Sequence, residues 1–196
     1  MALPPTFQSR GAYMCSIGFG FDSVTDDYKV VRIVYLDGLN FDQNYPPEVE
    51  IFSLSTGTWR NISHLDLPYT ICKYAPQAYV NGAAHWLARD WRSSSNSFLY
   101  FLILSFHMGD EVFVKIKLPG NVNAFAFNNG EENVRLATFQ ESLSLICVDV
   151  SMTGRHTCCI WVMKEYGISE SWSKQFNIDM RKIKMFEECS WLYKKR

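Results

Sequence analysis

The chain has 196 residues, 47% of them hydrophobic and 15% aromatic, with a formal net charge of −1. That is enough for one core, too apolar for a disordered tail, and without the basic excess of a nucleic-acid binder. No apolar run approaches the roughly 18 to 20 residues that span a bilayer. Met1-Ala2-Leu3-Pro4-Pro5 has neither a basic nor an apolar signal-peptide region, so secretion is not expected. The six cysteines form no CxxC pair and no compact framework. Reduced thiols in a cytoplasmic or nuclear protein are the expectation, with Cys15, Cys147 and Cys159 acting as small hydrophobes in apolar runs.

Leu3-Pro4-Pro5-Thr6-Phe7 is an entry segment with no element of its own. Ala12 to Phe21 reads as an apolar strand interrupted by Gly18 and Gly20, and glycine inside a strand marks close backbone approach or a bulge. Asp22 to Asp27 is turn chemistry, and Tyr28 to Tyr35 is a β-branched strand. A polar loop over 37–48 precedes Val49 to Ile62, a hairpin turning at Ser55-Thr56-Gly57 with Trp59 on the returning strand. Residues 64–76 read as loop. Gln77-Ala78-Tyr79-Val80 and Ala83 to Leu87 flank Asn81-Gly82, a strong two-residue turn. After a loop over 89–97, Phe101 to Phe106 and Val112 to Ile116 form a second hairpin around Met108-Gly109-Asp110. Residues 119–133 read as loop. Val134 to Phe139, a Glu141-Ser142 turn and Leu143 to Val150 come next, then a loop over 151–157. The third hairpin joins Cys159 to Met163 with Ser171 to Phe176, and Lys182 to Phe186 reads as the start of a further strand.

The hairpin phrase recurs at intervals of 52 and 57 residues, from Ile51 to Ile103 to Ile160. Repeats of that order, each with four strands, read as propeller blades. The expected fold is all-β: a partial kelch-like β-propeller of about three four-stranded antiparallel blades. Residues 1–180 form the domain, incomplete as a ring, and 181–196 are the start of a further strand or a frayed basic tail. Short turns alternate with long loops, so the loops 37–48, 64–76, 89–97, 119–133 and 151–157 gather at one end of the blades. Function sits on such loops held by a rigid scaffold. Aromatic and Arg residues anchor interfaces, which makes Phe41, Tyr45, Tyr69, Lys73, Tyr74, Arg89, Trp91, Arg92, Arg155 and His156 the candidate protein-binding residues, together with the acids Asp37, Asp42 and Asp66.

Catalytic and metal readings are weak. His156-Thr157-Cys158-Cys159 places two neighbouring cysteines on opposite strand faces, a poor chelate. Asp26-Asp27 and Glu131-Glu132 read as solvated turn charges, His85 as a satisfied histidine at the end of a strand, and Trp59 and Trp172 as packing anchors. The inner strands offer Ser16, Gln77, Arg135 and Gln140, a set with no recognisable nucleophile or phosphate loop. No catalytic residue, metal or cofactor is therefore expected. The alternative is a propeller that binds a carbohydrate or other small molecule, or a hydrolase on the same fold, since fold alone does not choose.

Gly18 to Ile33, Val49 to Trp59, Val80 to Leu87, Ile103 to Phe113 and Ile160 to Trp172, in that order, resemble the plant F-box-associated domain, kelch-type. The strict kelch Gly-Gly is absent, and Asn81-Gly82-Ala83-Ala84 stands nearest to it. The resemblance implies a non-catalytic substrate-recognition module of an SCF-type E3 ubiquitin ligase, binding a target protein for ubiquitination. The F-box, which would precede Leu3, is absent from this sequence, so Skp-type adaptor and cullin are expected to join only through it. Pro68 to Cys72 and Gln77 to Gly82 are similar to the S-locus F-box group, which implies a stylar S-ribonuclease as target, in self-incompatibility. A basic ribonuclease would gain on-rate from Asp37, Asp42, Glu48 and Asp66.

Overall fold

The computed structural model describes residues 13–36, 46–63, 67–72, 77–90, 100–120, 122, 133–150 and 156–180. They form three antiparallel sheets. The first takes β1 (Tyr13–Asp22), β2 (Asp27–Leu36), β3 (Glu48–Ser53) and β4 (Thr58–Asn61) in chain order. The second contains β5 (Tyr69–Ile71), β6 (Ala78–Val80), β7 (Ala83–Asp90), β8 (Tyr100–His107) and β9 (Val112–Ile116). The third runs β10 (Val134–Phe139), β11 (Ser142–Val150), β12 (His156–Met163) and β13 (Trp172–Asp179). Each sheet is one blade, and the predicted all-β, three-blade propeller architecture is the one observed.

The local chemistry explains the turns. Asp22 accepts hydrogen bonds from the Val24 amide at 2.8 Å and the Thr25 hydroxyl at 2.6 Å, which folds 23–26 back on itself. Asn81 and Gly82 both have positive φ, 51° and 73°, the geometry a two-residue hairpin needs. The third blade turns the same way at Gln140 and Glu141, with φ of 47° and 63°. That is one residue earlier than the predicted Glu141-Ser142, and Ser142 opens β11.

Three loop expectations shorten at their ends, because β3 starts at Glu48, β7 runs to Asp90 and β12 starts at His156. A fourth needs a larger correction. Within 64–76, Tyr69–Ile71 is a strand, β5, paired with Ala88–Asp90 of β7, while β6 pairs with Ala83–His85. The middle blade therefore has five strands, and its inner edge is made of two short pieces end to end. An eight-residue β7 with only three residues covered by β6 leaves backbone groups that must find partners.

The middle blade buries both faces: every residue of 83–88 and of 101–106 is buried. On one side Val31, Ile33, Val49 and Ile51 pack against Trp86, Leu102, Leu104, Phe106 and Met108. On the other, Leu87, Phe101 and Ile103 pack against Val134, Leu136, Leu143, Leu145, Met163 and Trp172. The first blade leaves Ile17, Phe19 and Tyr28 exposed on its far face, with Phe19 and Tyr28 stacked at 5.6 Å. Cys15, expected to act as a small hydrophobe, is exposed too; on an edge strand the residue faces away from blade two.

Side chains lock the first blade to the second. Gln77 donates to the Phe19 carbonyl at 2.9 Å and accepts from the Phe19 amide at 2.8 Å. The Tyr79 hydroxyl does the same for Phe21, donating at 2.8 Å and accepting at 3.1 Å. The Trp86 indole donates to the Ile17 carbonyl at 3.2 Å. This trio occupies backbone groups on the free edge of β1, the groups that otherwise invite another strand. Close approach makes glycine necessary here: a Cβ on Gly18 would collide with the Trp86 ring, and one on Gly20 with the Tyr79 ring.

Candidate functional site

Strand direction sorts the connections by end. Leu36, Glu48, Asn61, Asp90, Ile116, Val134, Val150, His156 and Asp179 lie at the strand ends that carry the long connections; Asp22, Asp27, Val80, Ala83, Phe139 and Ser142 lie at the ends joined by tight turns. The long-connection end is the candidate site. Of the residues assigned to it from sequence, Asp37, Phe41, Asp42, Tyr45, Asp66, Lys73, Tyr74, Trp91, Arg92 and Arg155 lie outside the described residues, as do Glu131-Glu132 and the expected strand over 182–186. His156 is described only as the first backbone position of β12.

Tyr69 and Arg89 are described, and both stand on strands rather than in loops. Tyr69 is 8% exposed and belongs to the core between blades one and two. Its carbonyl accepts from the Tyr35 hydroxyl at 3.0 Å, and that hydroxyl accepts from the Ile71 amide at 3.2 Å. One phenol thus fastens β5 to the first blade, and burial pushes its ionisation above the usual tyrosine range. The Lys115 ammonium lies 5.8 Å from the Tyr69 ring centroid, a cation–π distance. Contact with the Tyr69 hydroxyl, and then the Asp90 charge, pull the Lys115 pKa up. Tyr69 and Asp90 are register partners and share a face of the sheet. Arg89, the neighbour of Asp90, is half-buried on the opposite face, toward blade three. The structure therefore does not join Tyr69 and Arg89 into one patch. Glu48 is half-buried where β3 begins.

The tight-turn end carries a charged joint that sequence reading missed. Lys29 Nζ sits 2.7 Å from Asp22 Oδ2 and 2.8 Å from Glu111 Oε1, and donates to the Met108 carbonyl at 3.0 Å. Arg60 reaches the same Glu111 at 2.6 and 2.7 Å. Burial works against the charge on Asp22, yet Lys29, Thr25 and the Val24 amide outweigh it and hold the carboxyl down at about 2. Burial likewise opposes the Glu111 charge, and Arg60 and Lys29 override it. Contrary to the expectation of a solvated turn charge, Asp27 is 5% exposed and accepts from Ser53 Oγ at 2.5 Å and the Ser55 amide at 2.9 Å. These bonds, Ser53 first, lower its pKa. The only sequence clue to this joint was a lysine inside a β-branched run.

His85 is a satisfied strand histidine, as expected, but it is fully buried and stands within β7 rather than at a strand end. Its Nδ1 lies 3.2 Å from the Ala78 carbonyl and its Nε2 3.0 Å from the Tyr166 hydroxyl of blade three. Burial depresses its pKa to about 4, against the opposing pull of the Ala78 carbonyl. Trp172 is a packing anchor whose indole donates to the Lys117 carbonyl at 3.1 Å. Trp59 packs on Phe52 at 5.2 Å under the Arg32 guanidinium, 4.9 Å from its ring, and its Nε1 has no hydrogen-bond partner among the described residues. Beside it, Arg32 and Glu50 form a buried ion pair, with Arg32 Nε donating to Glu50 Oε2 at 2.9 Å. Among the described residues no group of three or more His, Cys, Asp or Glu is placed to hold a metal ion.

A stack of four- and five-stranded antiparallel blades, with tight turns at one end and long connections at the other, defines a propeller-type β scaffold. The model of the F-box associated beta propeller domain matches residues 4–194, and the chain belongs to that family. It is 32% identical to F-box protein At3g07870 of Arabidopsis thaliana over 82% of this chain and 39% of that protein. It is similar to F-box protein CPR1 of the same plant, 29% identical over 94% of this chain and 45% of the relative. F-box/kelch-repeat protein At3g23880, also of Arabidopsis thaliana, is 31% identical over 82% of this chain and 39% of its own length. The chain thus spans about two fifths of the curated relatives it matches.

Proposed function

We propose that this chain is the target-recognition part of an F-box subunit in an SCF-type E3 ubiquitin ligase. It is a non-catalytic, cofactor-free module that holds a protein for ubiquitination. Membership of the F-box-associated family carries the reading, and the segregation of long connections to one blade end supplies a binding surface on a rigid frame. Skp-type adaptor and cullin join through an F-box. The cytoplasm, or nucleus, is where such a ligase works on thiol-bearing chains. The finer reading is a stylar S-ribonuclease as target, in self-incompatibility. It rests on Pro68 to Cys72 and Gln77 to Gly82, and on the acidic charge of Asp37, Asp42, Glu48 and Asp66, which complements a basic partner.

The test is a pull-down from plant extract with the chain alone and with an F-box fused ahead of it. The fused form recovers adaptor and cullin, and both forms recover the same target. Alanine at Lys73, Tyr74, Trp91 and Arg92 together removes that target, while alanine at Leu54 and Asp110 does not. Folded chain that retains no common protein would overturn the reading, and a target whose association rate ignores salt would remove the ribonuclease.

A further inference from the structure

Cys147 of β11 and Cys159 of β12 stand directly opposite each other in the antiparallel ladder. Direct cross-strand partners share a face, with Cα atoms about 4.5 to 5.5 Å apart. A disulfide takes Cα separations of about 4.4 to 6.8 Å, so the strands need not part to form one. Cys147 is 4% exposed within the core between blades two and three, and Cys159 is half-buried against the same core. Cys158 points to the other face, opposite Val148. Cys15 and Cys72 belong to other blades.

The surroundings divide the labour between the two thiols. Cys159 lies toward the surface, its sulfur 3.6 Å from the Asn177 side-chain oxygen. Burial pushes the Cys147 thiol up to about 12, with a smaller opposing pull from Lys174, whose ammonium sits 4.9 Å from the Trp161 ring centroid. Cys147 is therefore a poor first target for an oxidant and a well-placed second partner.

We propose that Cys147 and Cys159 are a redox-responsive dithiol that closes to a cross-strand disulfide under peroxide. Hydrogen peroxide first transfers one oxygen to Cys159, giving a sulfenic acid and one water. The Cys147 sulfur then attacks the Cys159 sulfur. The S–S bond forms, the S–O bond breaks, and the oxygen leaves with the proton as a second water. Two electrons pass from the paired sulfurs to the peroxide, and a thiol reductant reverses the change by exchange. The bond would fasten together the two strands that carry connection 151–155. Any effect on target binding rests on the proposed recognition role; the disulfide does not.

Purified chain is treated with hydrogen peroxide at neutral pH, alkylated without reduction, digested and read by mass spectrometry. The expected product is one peptide pair joined through Cys147 and Cys159, two hydrogens lighter than the dithiol and separated by dithiothreitol. C158S leaves that pair intact. C147S stops at a Cys159 sulfenic acid, which dimedone traps. Cys159 alkylated as a free thiol in oxidised wild type would overturn the proposal, and so would linkage spread indifferently over Cys72, Cys147 and Cys158.

Discussion

His85 makes the joint between blades two and three sensitive to acid. Its imidazole is fully buried between the Ala78 carbonyl and the Tyr166 hydroxyl, and the pKa falls from the ordinary 6.5 to about 4. The folded state therefore prefers the neutral ring, whereas the unfolded chain takes up a proton below pH 6.5. The stability this group supplies is complete above that point and drains away as pH falls toward 4. A shift of this size is worth about 3 kcal/mol in full, and about 2 kcal/mol is already lost at pH 5. The carboxylates act in a lower window. Asp22, Asp27 and Glu111 have lowered pKa values, so their contribution is present above the ordinary carboxylate range and is lost only as pH drops through their folded values. Keeping the measurement at pH 5 and above isolates the histidine. The assay is urea unfolding of wild type and H85Q at pH 7.5 and pH 5. H85Q is less stable than wild type at pH 7.5, but its loss on acidification is smaller by about 2 kcal/mol. Parallel losses in the two proteins would show that His85 keeps its proton balance on folding, and the argument would fail.

Two further perturbations probe the joint between blades one and two. Gly18→Ala drives a methyl into the buried Trp86 ring, which is itself tied to the Ile17 carbonyl; overpacking of this kind costs about 2 kcal/mol, read as a lower urea midpoint at unchanged slope, and an unchanged midpoint would mean the indole moves freely. Lys29→Met removes the cation between Asp22 and Glu111. Stranding a buried carboxylate costs about 3 kcal/mol at pH 7, and the gap to wild type narrows toward pH 4 because Asp22 can then be neutral; a gap that stays constant would place the loss in packing.

Legibility followed the range of the interaction. Asn81-Gly82 announced its turn because positive φ at adjacent positions selects those residues. Gln140-Glu141 adopts the same backbone with neither glycine nor asparagine, so the boundary slipped by a residue. Glycines at 18 and 20 correctly signalled close approach, yet nothing local named Trp86 and Tyr79 as what approaches. β5 was unreadable for a different reason. Tyr69-Thr70-Ile71 is too short to show alternation, and it is a strand because β7 outruns β6. That error moved Tyr69 from the expected loop surface into a core, where its hydroxyl region meets Lys115 and its carbonyl meets Tyr35. The charged joint escaped because Lys29 and Glu111 are remote in sequence and become neighbours only when the blades stack.

The clamp on β1 has a bearing on which substitutions the scaffold can absorb. Gln77 and Tyr79 grip the amides and carbonyls of Phe19 and Phe21, not their rings. A joint that reads main chain is indifferent to what side chains those positions carry, proline excepted, since proline has no amide to give. The outward surface at Phe19 and Phe21 can therefore be rewritten residue by residue while the seam behind it keeps every hydrogen bond.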